Sequence, residues 1–365
     1  MKRRILHIGK YYPPEKGGME TTLSLLCESL TSRFDVSVIV ASRFRGTTAE
    51  TINGVSVTRA GSICHVAGAP INLGLPGLIR KARPDLIHLH VPHPGAVLAL
   101  LVSDCDAPVV ISYHSDVVRQ RTLNLGFQYL TNRILRRSTR IIAGSEQLVK
   151  SSGVLRKFAA KCQVIPFAAD QQQLQCPLHL VQEIRSRYPG PLILAVGRLV
   201  YYKGFEWLIR AMRHVSGTLL IIGEGPDRAE LERIAAQGGA NNSVHLLGGI
   251  EFLAPYYQAA DVFVLPSVAP SEAFGLVQLE AMACGKPVIN TWLESSVPYV
   301  SLDGITGLTV APRDEMALAN AINLLLNQPD LRAQYGQAAR QRFEDEYTVD
   351  RMVDRVAAVY DAVLS

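Results

Sequence analysis

Two cations and two carboxylates in the second half of the sequence have the types and spacing of ligand-binding residues. Arg198 directly follows an apolar run, and Lys203 stands five positions later, next to a glycine that opens a helical pattern. Two such cations can neutralise a diphosphate, although solvated surface cations would show the same spacing. Glu272 and Glu280 lie eight positions apart around the start of a short apolar helix pattern that Gly285 closes. Because backbone N–H groups at a helix start favour an anion, the two carboxylates indicate neighbours of another kind.

A pair of glycines, Gly17 and Gly18, precedes a helical pattern over about residues 19–30 and follows a strand pattern that ends at Gly9. Glycines at a helix start let backbone N–H groups approach a phosphate, which the helix dipole also favours. A flexible turn has the same composition, and the segment has neither the Gly-x-Gly-x-x-Gly spacing nor the P-loop lysine pattern. Both interpretations stay open from these residues alone.

Four histidines fall near the ends of two consecutive strand patterns. His88 and His90 share one face of a strand, and His93 follows closely. A His-x-His pair could bind a metal, but no cysteine or carboxylate converges with it, so we expect no metal here. His114 ends the next apolar strand. This position is a ligand-facing edge of a parallel sheet, and a satisfied structural histidine would fit it as well.

Apolar, β-branched runs alternate with helical patterns along the whole chain. The runs are RILHIG, DVSVIVA, VSVTRA, DLIHLHV, PVVISYH and RIIAGS in the first half and LILAVG, GTLLIIG, SVHLLG and DVFVLPS in the second. Near-continuous apolar strands separated by helices indicate parallel sheets that helices cover on both faces. We therefore predict an α/β protein with a doubly wound parallel sheet in each half and with ligands outside the carboxyl ends of the strands.

A chain of 365 residues is long enough for two hydrophobic cores. A polar segment at 164–180, VIPFAADQQQLQCPLHL, marks the seam, so the predicted domains are residues 1–170 and 171–345. Residues 346–365 form a terminal helix pattern. Its apolar residues recur at helical spacing: Met352, Val353, Val356, Val359, Tyr360 and Val363. One face of this helix is therefore expected to be buried.

The two halves of the chain differ in charge. Residues 1–170 carry 22 Lys and Arg against 11 Asp and Glu, whereas residues 171–365 carry 15 against 21. A basic half can meet nucleic acid, an anionic membrane or phosphorylated substrates, but no nucleic-acid-binding motif accompanies it, so nucleic acid is not expected as a partner. In the segment 127–140, FQYLTNRILRRSTR, cations alternate with apolar residues. This pattern fits a basic helix on an anionic leaflet, or a solvated helix with an ordinary buried stripe.

Neither a membrane span nor a disulfide framework is expected. The longest apolar runs are far shorter than the roughly 20 residues that cross a bilayer, and the first residues lack the pattern of a targeting segment. Six cysteines are scattered without a Cys-x-x-Cys pair: Cys27, Cys64, Cys105, Cys162, Cys176 and Cys284. These features favour a reducing cytoplasm.

Taken together, the motifs resemble the retaining glycosyltransferases of family 4, which have the GT-B fold. The matching segments are Gly17-Gly18, His114 after VVISY, GSEQL at 144–148, GRLVYYKG at 197–204, GEGPDRAEL at 223–231 and SEAFGLVQLEAMACGKPVI at 271–289. The last segment contains the family's two glutamates separated by seven residues. The resemblance covers nearly the whole chain. It implies two Rossmann-like domains that face a central cleft, with the terminal helix crossing back to the first domain.

The resemblance also implies a role for each matching residue. Arg198 and Lys203 resemble the pair that binds the donor diphosphate. Glu272 resembles the glutamate that holds hydroxyls of the transferred sugar, and Glu280 the one that grips the nucleotide ribose. The remaining matches are Gly17 and Gly18 toward the phosphate, His114 near the sugar and acceptor, Gly223, Gly225 and Ile250 at the base pocket, and Phe274, Gly275 and Leu276 at the helix start. One departure is VIPFAAD at 164–170, where the family usually has Pro-Asn-Gly-Val-Asp.

In this family the acceptor is thought to attack from the leaving-group face, and a phosphate oxygen takes the acceptor proton. No protein nucleophile is then required. Cations and N–H donors stabilise the charge on the departing nucleotide diphosphate, and positioning supplies much of the acceleration. Because two cations take the place of a divalent ion, we expect neither a metal nor another cofactor.

The segment SYHSDVVRQ at 112–120 and the stretch that begins EAFGL at 272 resemble most closely bacterial enzymes of O-antigen and other surface-polysaccharide synthesis. The resemblance favours a mannosyl or rhamnosyl transferase that uses a GDP-sugar, with transfer of mannose from GDP-mannose to a saccharide on a polyprenyl diphosphate as the first expectation. A UDP-sugar enzyme is the alternative. A catalytically silent sugar-nucleotide-binding scaffold and a sugar-nucleotide epimerase of the same fold remain open. The resemblance implies a cytoplasmic protein, peripheral to the inner face of the plasma membrane, with its basic domain toward anionic lipid.

Overall fold

The computed structural model describes residues 2–15, 17–66, 69–116, 124–237 and 243–365. The chain divides into two compact units, Met1–Phe167 with Val349–Ser365, and Ala168–Thr348. The first unit therefore ends three residues before position 170, and the terminal segment that belongs to it begins at Val349 rather than 346. Residues 117–120 of the segment SYHSDVVRQ lie outside the described part of the chain.

The first unit is built on a parallel sheet. Its strands are β1 Arg4–Ile8, β2 Asp35–Ala41, β3 Thr48–Ile52, β4 Val55–Ala60, β5 Cys64–Val66, β6 Ala69–Ile71, β7 Leu86–Val91, β8 Val109–Tyr113, β9 Arg140–Ala143 and β10 Cys162–Val164. Its first helices are α1 Gly18–Leu30, α2 Leu75–Ala82, α3 Pro94–Leu101, α4 Asn124–Arg137 and α5 Glu146–Ser151, followed by a 3₁₀ segment, Leu155–Lys161. Eight strands are ordered β10-β9-β8-β7-β1-β2-β4-β3, and β5 pairs with β6 separately. Among the strand pairs that the structure describes in this unit, only β3/β4 and β5/β6 are antiparallel.

The order of the strands reverses between β1 and β7, which makes this edge the topological switch point of the first sheet. β7 and β8 are buried along their whole length, as near-continuous apolar strands covered on both faces should be. Their carboxyl ends carry His90 and His114 toward the edge where ligands bind in such folds.

The second unit repeats this architecture. Its strands are β11 Leu192–Val196, β12 Thr218–Ile222, β13 Val244–Gly248, β14 Val262–Leu265, β15 Val288–Thr291 and β16 Gly307–Val310. Its helices are α6 Leu178–Arg187, α7 Phe205–Ala211, α8 Arg228–Gln237, α9 Ala254–Ala259, α10 Leu276–Ala283, α11 Val297–Val300, α12 Glu315–Asn327 and α13 Pro329–Glu346, with 3₁₀ turns at Gln171–Leu174, Tyr201–Lys203 and Met212–His214. The six parallel strands are ordered β13-β12-β11-β14-β15-β16. This is the Rossmann order, with its switch point between β11 and β14.

The last helix, α14 Val349–Leu364, belongs to the first unit and packs against α1. Five of the six apolar residues that were expected to form its buried face are buried: Met352, Val353, Val356, Val359 and Tyr360. Tyr360 is fully buried and reaches the histidines of the sheet, with its hydroxyl 2.5 Å from His88 Nδ1. The helix thus contributes a polar group to the interior of the first unit.

Helix α4 buries part of the apolar stripe of the segment 127–140. Ile134 and Leu135 are fully buried in the core of the first unit, and Leu130 packs against it. The side chain of Phe127 lies outside the described residues. Leu130, Ile134 and Leu135 therefore belong to the core, while Tyr129, Arg133 and Arg136 remain exposed. Among the described helices, none has the length and apolar character to cross a membrane.

Helix α10 packs against α13, and two glycines make a close backbone contact there. Gly285 follows α10 with a left-handed φ of 66°, and a β-carbon at Gly336 of α13 would lie 2.3 Å from the Gly285 carbonyl oxygen. Only glycine at position 336 allows this approach. The contact matters because α10 carries Glu280.

We expect Gly336→Ala to lower the free energy of unfolding by about 1–3 kcal/mol, because the added methyl group overpacks a backbone contact. The matched control is Gly77→Ala in α2, where a β-carbon would meet nothing within 4 Å. That change should be neutral or stabilise by up to about 1 kcal/mol, since alanine is the better helix former. Urea unfolding monitored by circular dichroism measures both changes. Equal effects of the two substitutions would contradict this account of the α10–α13 contact.

Candidate active site

Lys203 and Glu272 form a buried ion pair at the carboxyl edge of the second sheet. Lys203 Nζ lies 2.6 Å from Glu272 Oε2, and each side chain is only about one-tenth exposed. Ser267 Oγ donates a hydrogen bond of 3.0 Å to the same carboxylate oxygen. Gly204 lets the backbone next to Lys203 lie against the backbone that follows β14, because a β-carbon at this position would lie 2.1 Å from the Pro266 carbonyl oxygen. Two residues to which the resemblance assigns different parts of a ligand therefore contact each other directly.

Glu280 lies in the second turn of α10, close to this pair. Tyr257 Oη donates a hydrogen bond of 2.5 Å to Glu280 Oε2. Burial raises the pKa of Glu280, while the Tyr257 hydroxyl and the charge of Lys203 act in the opposite direction. Lys203 thus forms an ion pair with Glu272, and its charge also acts on Glu280. The structure brings Lys203, Glu272 and Glu280 together, and it adds Tyr257 and Ser267, which sequence patterns did not indicate.

The start of α10 is shaped by Gly275. This residue has a left-handed φ of 75°, and a β-carbon on it would lie 2.6 Å from the Leu265 side chain. Gly275 provides no side chain to cap the helix, so the first backbone N–H groups keep their capacity for an anion. Phe274 is buried before it, and Leu276, half-buried, begins the helix. The buried amide of Gln278 donates 2.8 Å to the Phe274 carbonyl oxygen and fixes the loop.

The loops after β11 and β12 approach each other backbone to backbone. A β-carbon at Gly223 would lie 2.0 Å from the Gly197 carbonyl oxygen, and one at Gly225 would lie 2.1 Å from the Leu199 carbonyl oxygen. Glycine is therefore required at both positions. Arg198 lies between the two residues whose carbonyl oxygens make these contacts, Gly197 and Leu199, and it is exposed.

The loop after β13 contacts the loop after β12 through the side chain of Glu224. The Gly249 N–H donates a hydrogen bond of 2.9 Å to Glu224 Oε1, and half-buried Ile250 is the next residue. Ile250 therefore lies on the same sheet edge as Gly223 and Gly225. This is the position that the resemblance assigns to the base pocket.

In the first unit, α1 begins at Gly18, and Gly17 precedes it in an extended conformation. Both glycines are exposed. The Glu20 carboxylate lies at this helix start, because a β-carbon at Gly17 would meet Glu20 Oε2 at 2.3 Å. Burial raises the pKa of Glu20. A phosphate that binds to these N–H groups would therefore have to displace a carboxylate of the protein itself.

His114 is buried at the end of β8 and makes three defined contacts. Its backbone N–H donates 3.0 Å to the Val91 carbonyl oxygen. Its ring nitrogen Nε2 lies 3.1 Å from His90 Nδ1, and its ring stacks on Phe167 with centroids 5.1 Å apart and planes 11° apart. Burial lowers the pKa of His114 to about 4, so the ring is neutral at physiological pH.

His7 and Tyr360 were not among the site residues predicted from the sequence, but both bond to the buried histidines of the first unit. His7 pairs with His88 across β1 and β7, and its Nδ1 lies 3.2 Å from His90 Nε2. His7, His88 and His90 could each offer one nitrogen within 4.8 Å of the others, as metal ligands do. However, the rings of His88 and His90 are stacked 4.5 Å apart, and their nitrogens are engaged by neighbouring side chains. The geometry is that of a neutral hydrogen-bonded set.

His93 is separate from this cluster and caps a helix. Its Nδ1 accepts a hydrogen bond of 3.4 Å from the Ala96 N–H at the start of α3. Burial, with a smaller contribution from Lys10, lowers the pKa of His93 to about 4. His93 therefore has a structural role in the first unit.

The buried histidines should make the first unit sensitive to acid. Burial lowers the pKa of His7 to about 3 and also lowers the pKa of His88, His90 and His114. The unfolded chain takes up these protons below about pH 6.5, whereas the folded chain does not. Stability is therefore full above about pH 6.5 and falls below it by about 1.4 kcal/mol per pH unit for each histidine.

Urea unfolding at about pH 7.5, 6.5 and 5.5 measures this slope. The matched variant is His93→Asn, which keeps a helix-capping acceptor but removes one titrating group. It should reduce the slope by about 1.4 kcal/mol per pH unit. A free energy of unfolding that stays constant over this range would contradict the prediction, because it would mean that the folded and unfolded chains take up equal numbers of protons.

Family models match both units of the chain. The model described as Glycosyltransferase Family 4 matches residues 16–173, and the model described as Glycosyl transferases group 1 matches residues 181–342. The two matches meet near the division between the compact units. They cover both sheet edges at which the candidate residues lie.

Similar proteins cover the chain from end to end. The chain is 31% identical over 369 residues to the O-antigen chain mannosyltransferase C of Escherichia coli, with 99% of each chain covered. It is 32% identical to D-rhamnosyltransferase WbpZ of Pseudomonas aeruginosa, with 94% of this chain and 92% of that protein covered. The structure of Anabaena Alr3699/HepE in complex with UDP and glucose is similar in fold, with a TM-score of 0.81, 19% identity, and 99% and 100% of the two chains covered. The chain therefore belongs to the family 4 glycosyltransferases and has their GT-B fold.

Proposed function

We propose that this glycosyltransferase moves a mannosyl residue from GDP-mannose to a lipid-linked saccharide, with retention of configuration, in the synthesis of O-antigen or another bacterial surface polysaccharide. The names of two relatives that cover more than nine-tenths of the chain, an O-antigen mannosyltransferase and a D-rhamnosyltransferase, support this substrate class. The observation that carries the proposal is the convergence of Lys203, Glu272 and Glu280 at one sheet edge.

The charges at this edge suit a sugar attached to a diphosphate. Glu272 already balances Lys203 at 2.6 Å, so a bound diphosphate draws its remaining compensation from exposed Arg198 and from the uncapped start of α10. These groups stabilise the negative charge that develops on the departing nucleotide diphosphate. Glu272, held by Lys203 and Ser267, keeps acceptor capacity for sugar hydroxyls, and Glu280 has the same capacity for the ribose. We propose that no divalent metal is needed.

A UDP-sugar donor is the second candidate. The observation that favours it is the similar fold of Alr3699/HepE, whose structure contains UDP and glucose. Both donors share the diphosphate and ribose, so Arg198, Lys203 and Glu280 do not distinguish between them. The base is the differing part, and Ile250 is the residue that we assign to its pocket.

The acceptor proposal rests on charge. The first half of the chain is strongly basic, and the exposed face of α4 presents Arg133 and Arg136 with Tyr129 beside them. Polyprenyl diphosphate and the cytoplasmic leaflet are both anionic, so both attract such a surface. Because Leu130, Ile134 and Leu135 of α4 pack in the core, we propose an electrostatic contact with the inner face of the plasma membrane, without insertion of this helix.

The ion pair can be separated into a structural and a catalytic part by a double-mutant cycle. Lys203→Met and Glu272→Gln should each reduce transfer by about 100-fold or more, as loss of a transition-state contact does. Each single variant should also lose up to about 3–5 kcal/mol of stability, because a charge is left buried without its partner. The double variant should recover most of the stability, since it buries no unpaired charge, but it should not recover transfer. Recovery of both properties would assign the pair a structural role alone.

The donor and the metal requirement are tested in one assay. Purified protein is incubated with GDP-mannose, other GDP-sugars and UDP-sugars in the presence of a polyprenyl-diphosphate-linked saccharide, and the product is analysed by mass and by the anomeric NMR signal. We expect transfer from GDP-mannose with retention, unchanged by EDTA, and reduced by about 100-fold or more in the Glu272→Gln variant. Consumption of donor without acceptor would instead indicate an epimerase or a hydrolase. Activity that EDTA abolishes and added metal restores would refute the metal-free proposal.

The same assay tests the membrane proposal when the acceptor is presented in vesicles. Transfer should be faster on vesicles that contain anionic lipid than on neutral vesicles, and the difference should shrink as salt is added. Arg133→Gln with Arg136→Gln should reduce this difference without changing transfer to a water-soluble acceptor. Equal rates on both kinds of vesicle would contradict the electrostatic contact.

A further inference from the structure

The buried histidines of the first unit belong to one hydrogen-bonded chain of side chains. Its links are Ser112 Oγ to His88 Nε2 at 2.8 Å, His88 Nδ1 to Tyr360 Oη at 2.5 Å, Tyr360 Oη to His7 Nε2 at 3.2 Å, His7 Nδ1 to His90 Nε2 at 3.2 Å, and His90 Nδ1 to His114 Nε2 at 3.1 Å. Both nitrogens of His7, His88 and His90 are used in these links. The chain therefore ends at His114, whose Nδ1 is the one ring nitrogen outside it.

The protons in such a chain must all point the same way. A neutral imidazole has one N–H donor and one bare acceptor nitrogen, and the tyrosine hydroxyl has one proton to donate. If one ring donates along the chain, the next ring must accept and then donate from its other nitrogen. The tautomers of His88, His7, His90 and His114 are consequently fixed together rather than one by one.

Ser112 sets the direction. It lies within buried strand β8, and its hydroxyl bonds to His88 alone among the residues that the structure describes. A buried hydroxyl proton without an acceptor is costly, so the Ser112 hydroxyl donates to His88 Nε2. His88 then donates from Nδ1 to Tyr360, and Tyr360 donates to His7 Nε2. His7 and His90 donate from Nδ1 in turn, and His114 accepts at Nε2 and carries its own proton on Nδ1.

The outer nitrogen of His114, Nδ1, takes no part in this chain of hydrogen bonds. His114 Nδ1 has no hydrogen-bond partner among the described residues, and the residue keeps 6% of its surface exposed. His114 lies just beyond the carboxyl end of β8, where ligands bind in parallel sheets.

We propose that Ser112, His88, Tyr360, His7 and His90 are positioning residues that fix His114 as the Nδ1–H tautomer, so that it donates a hydrogen bond to an oxygen of the sugar or acceptor. The part that concerns the ligand rests on the proposed function. The tautomer itself depends only on the first unit. Fixing the tautomer in advance means that binding need not reorganise the ring, which makes the donor more effective at the developing charge of the reaction.

Nitrogen NMR of protein labelled in the histidine rings tests the tautomer without any substrate. The one-bond proton coupling identifies which nitrogen carries the proton. We expect His114, His90 and His7 to be protonated on Nδ1 in the wild-type protein. In Tyr360→Phe the donor to His7 is lost, and His114 should become a mixture of both tautomers. Protonation of His114 on Nε2 in the wild-type protein would overturn the proposal, as would a stoichiometric divalent metal bound by the histidines.

Two pairs of variants separate positioning from packing. Phe34→Leu disturbs the ring that packs edge-on against Tyr360, with centroids 5.6 Å apart, but leaves the hydroxyl in place. It should keep the wild-type tautomer and rate, whereas Tyr360→Phe should lower kcat about tenfold through loss of one ligand hydrogen bond. Ser112→Ala should have the same effects as Tyr360→Phe, and Ser112→Thr should restore both the tautomer and the rate. Equal rates of Tyr360→Phe and the wild-type enzyme would overturn the positioning role.

Failure of this inference and failure of the proposed function give different results. If the wild-type protein transfers sugar but its His114 tautomer does not respond to Tyr360→Phe, the histidine chain has no positioning role. If the wild-type protein transfers nothing from any donor while His114 shows the Nδ1–H tautomer, the proposed function is wrong and the chain of hydrogen bonds still stands. The spectrum and the rate together distinguish the two cases.

Discussion

A parallel sheet covered by helices on both faces leaves no water for a polar side chain within its strands. Such a side chain must find a partner inside the protein or lie beyond the strand end. The two units meet this constraint in different ways. In the first, His7, His88 and His90 lie within strands and bond to one another as neutral rings. In the second, the charged groups Lys203 and Glu272 lie on loops after strand ends and form a pair. Loss of water thus explains both the neutral cluster and the ion pair.

The choice between neutral and charged groups follows from the cost of desolvation. A buried charge is tolerated when an opposite charge and further hydrogen bonds accompany it, as Ser267 and Lys203 accompany Glu272. A histidine can instead release its proton, and the lowered pKa values of the cluster reflect this. The second sheet edge therefore holds a paired positive and negative charge. In the interior of the first sheet the histidines are neutral and interact through hydrogen bonds.

The general fold could be predicted from the sequence because long β-branched runs identify strands that are buried on both faces. All ten quoted runs are strands of the two sheets. The missed strands are short or exposed. One of them, β3, is joined to β4 by Asn53 and Gly54, both with positive φ, and the Asn-Gly dipeptide between the two strands was an available signal for this hairpin.

Local sequence patterns bring together only residues that lie close in the chain, whereas the grouping of Lys203 with Glu272 and Glu280 came from the family resemblance. Glu272, Gly275 and Glu280 belong to one segment, so their common location follows from a single loop and helix. The partners of these residues come from elsewhere in the chain: Lys203 reaches Glu272, and Tyr257 reaches Glu280. Tyr360 reaches His7 across 353 positions, because α14 packs on the first unit. No local pattern encodes such pairs, since each depends on how whole elements pack.

The departure of VIPFAAD from the family's usual Pro-Asn-Gly-Val-Asp has a physical meaning at Phe167. The ring of Phe167 lies almost parallel to that of His114, and Gly144 makes room for it, because a β-carbon there would lie 2.9 Å from the Phe167 ring. An asparagine would offer His114 a polar neighbour and a competing hydrogen bond. Phenylalanine covers one face of the imidazole without bonding to it, which favours the neutral ring and leaves its nitrogens to His90 on one side and to a ligand on the other. The substitution at this position therefore strengthens the same directed hydrogen bonding that the histidine chain imposes.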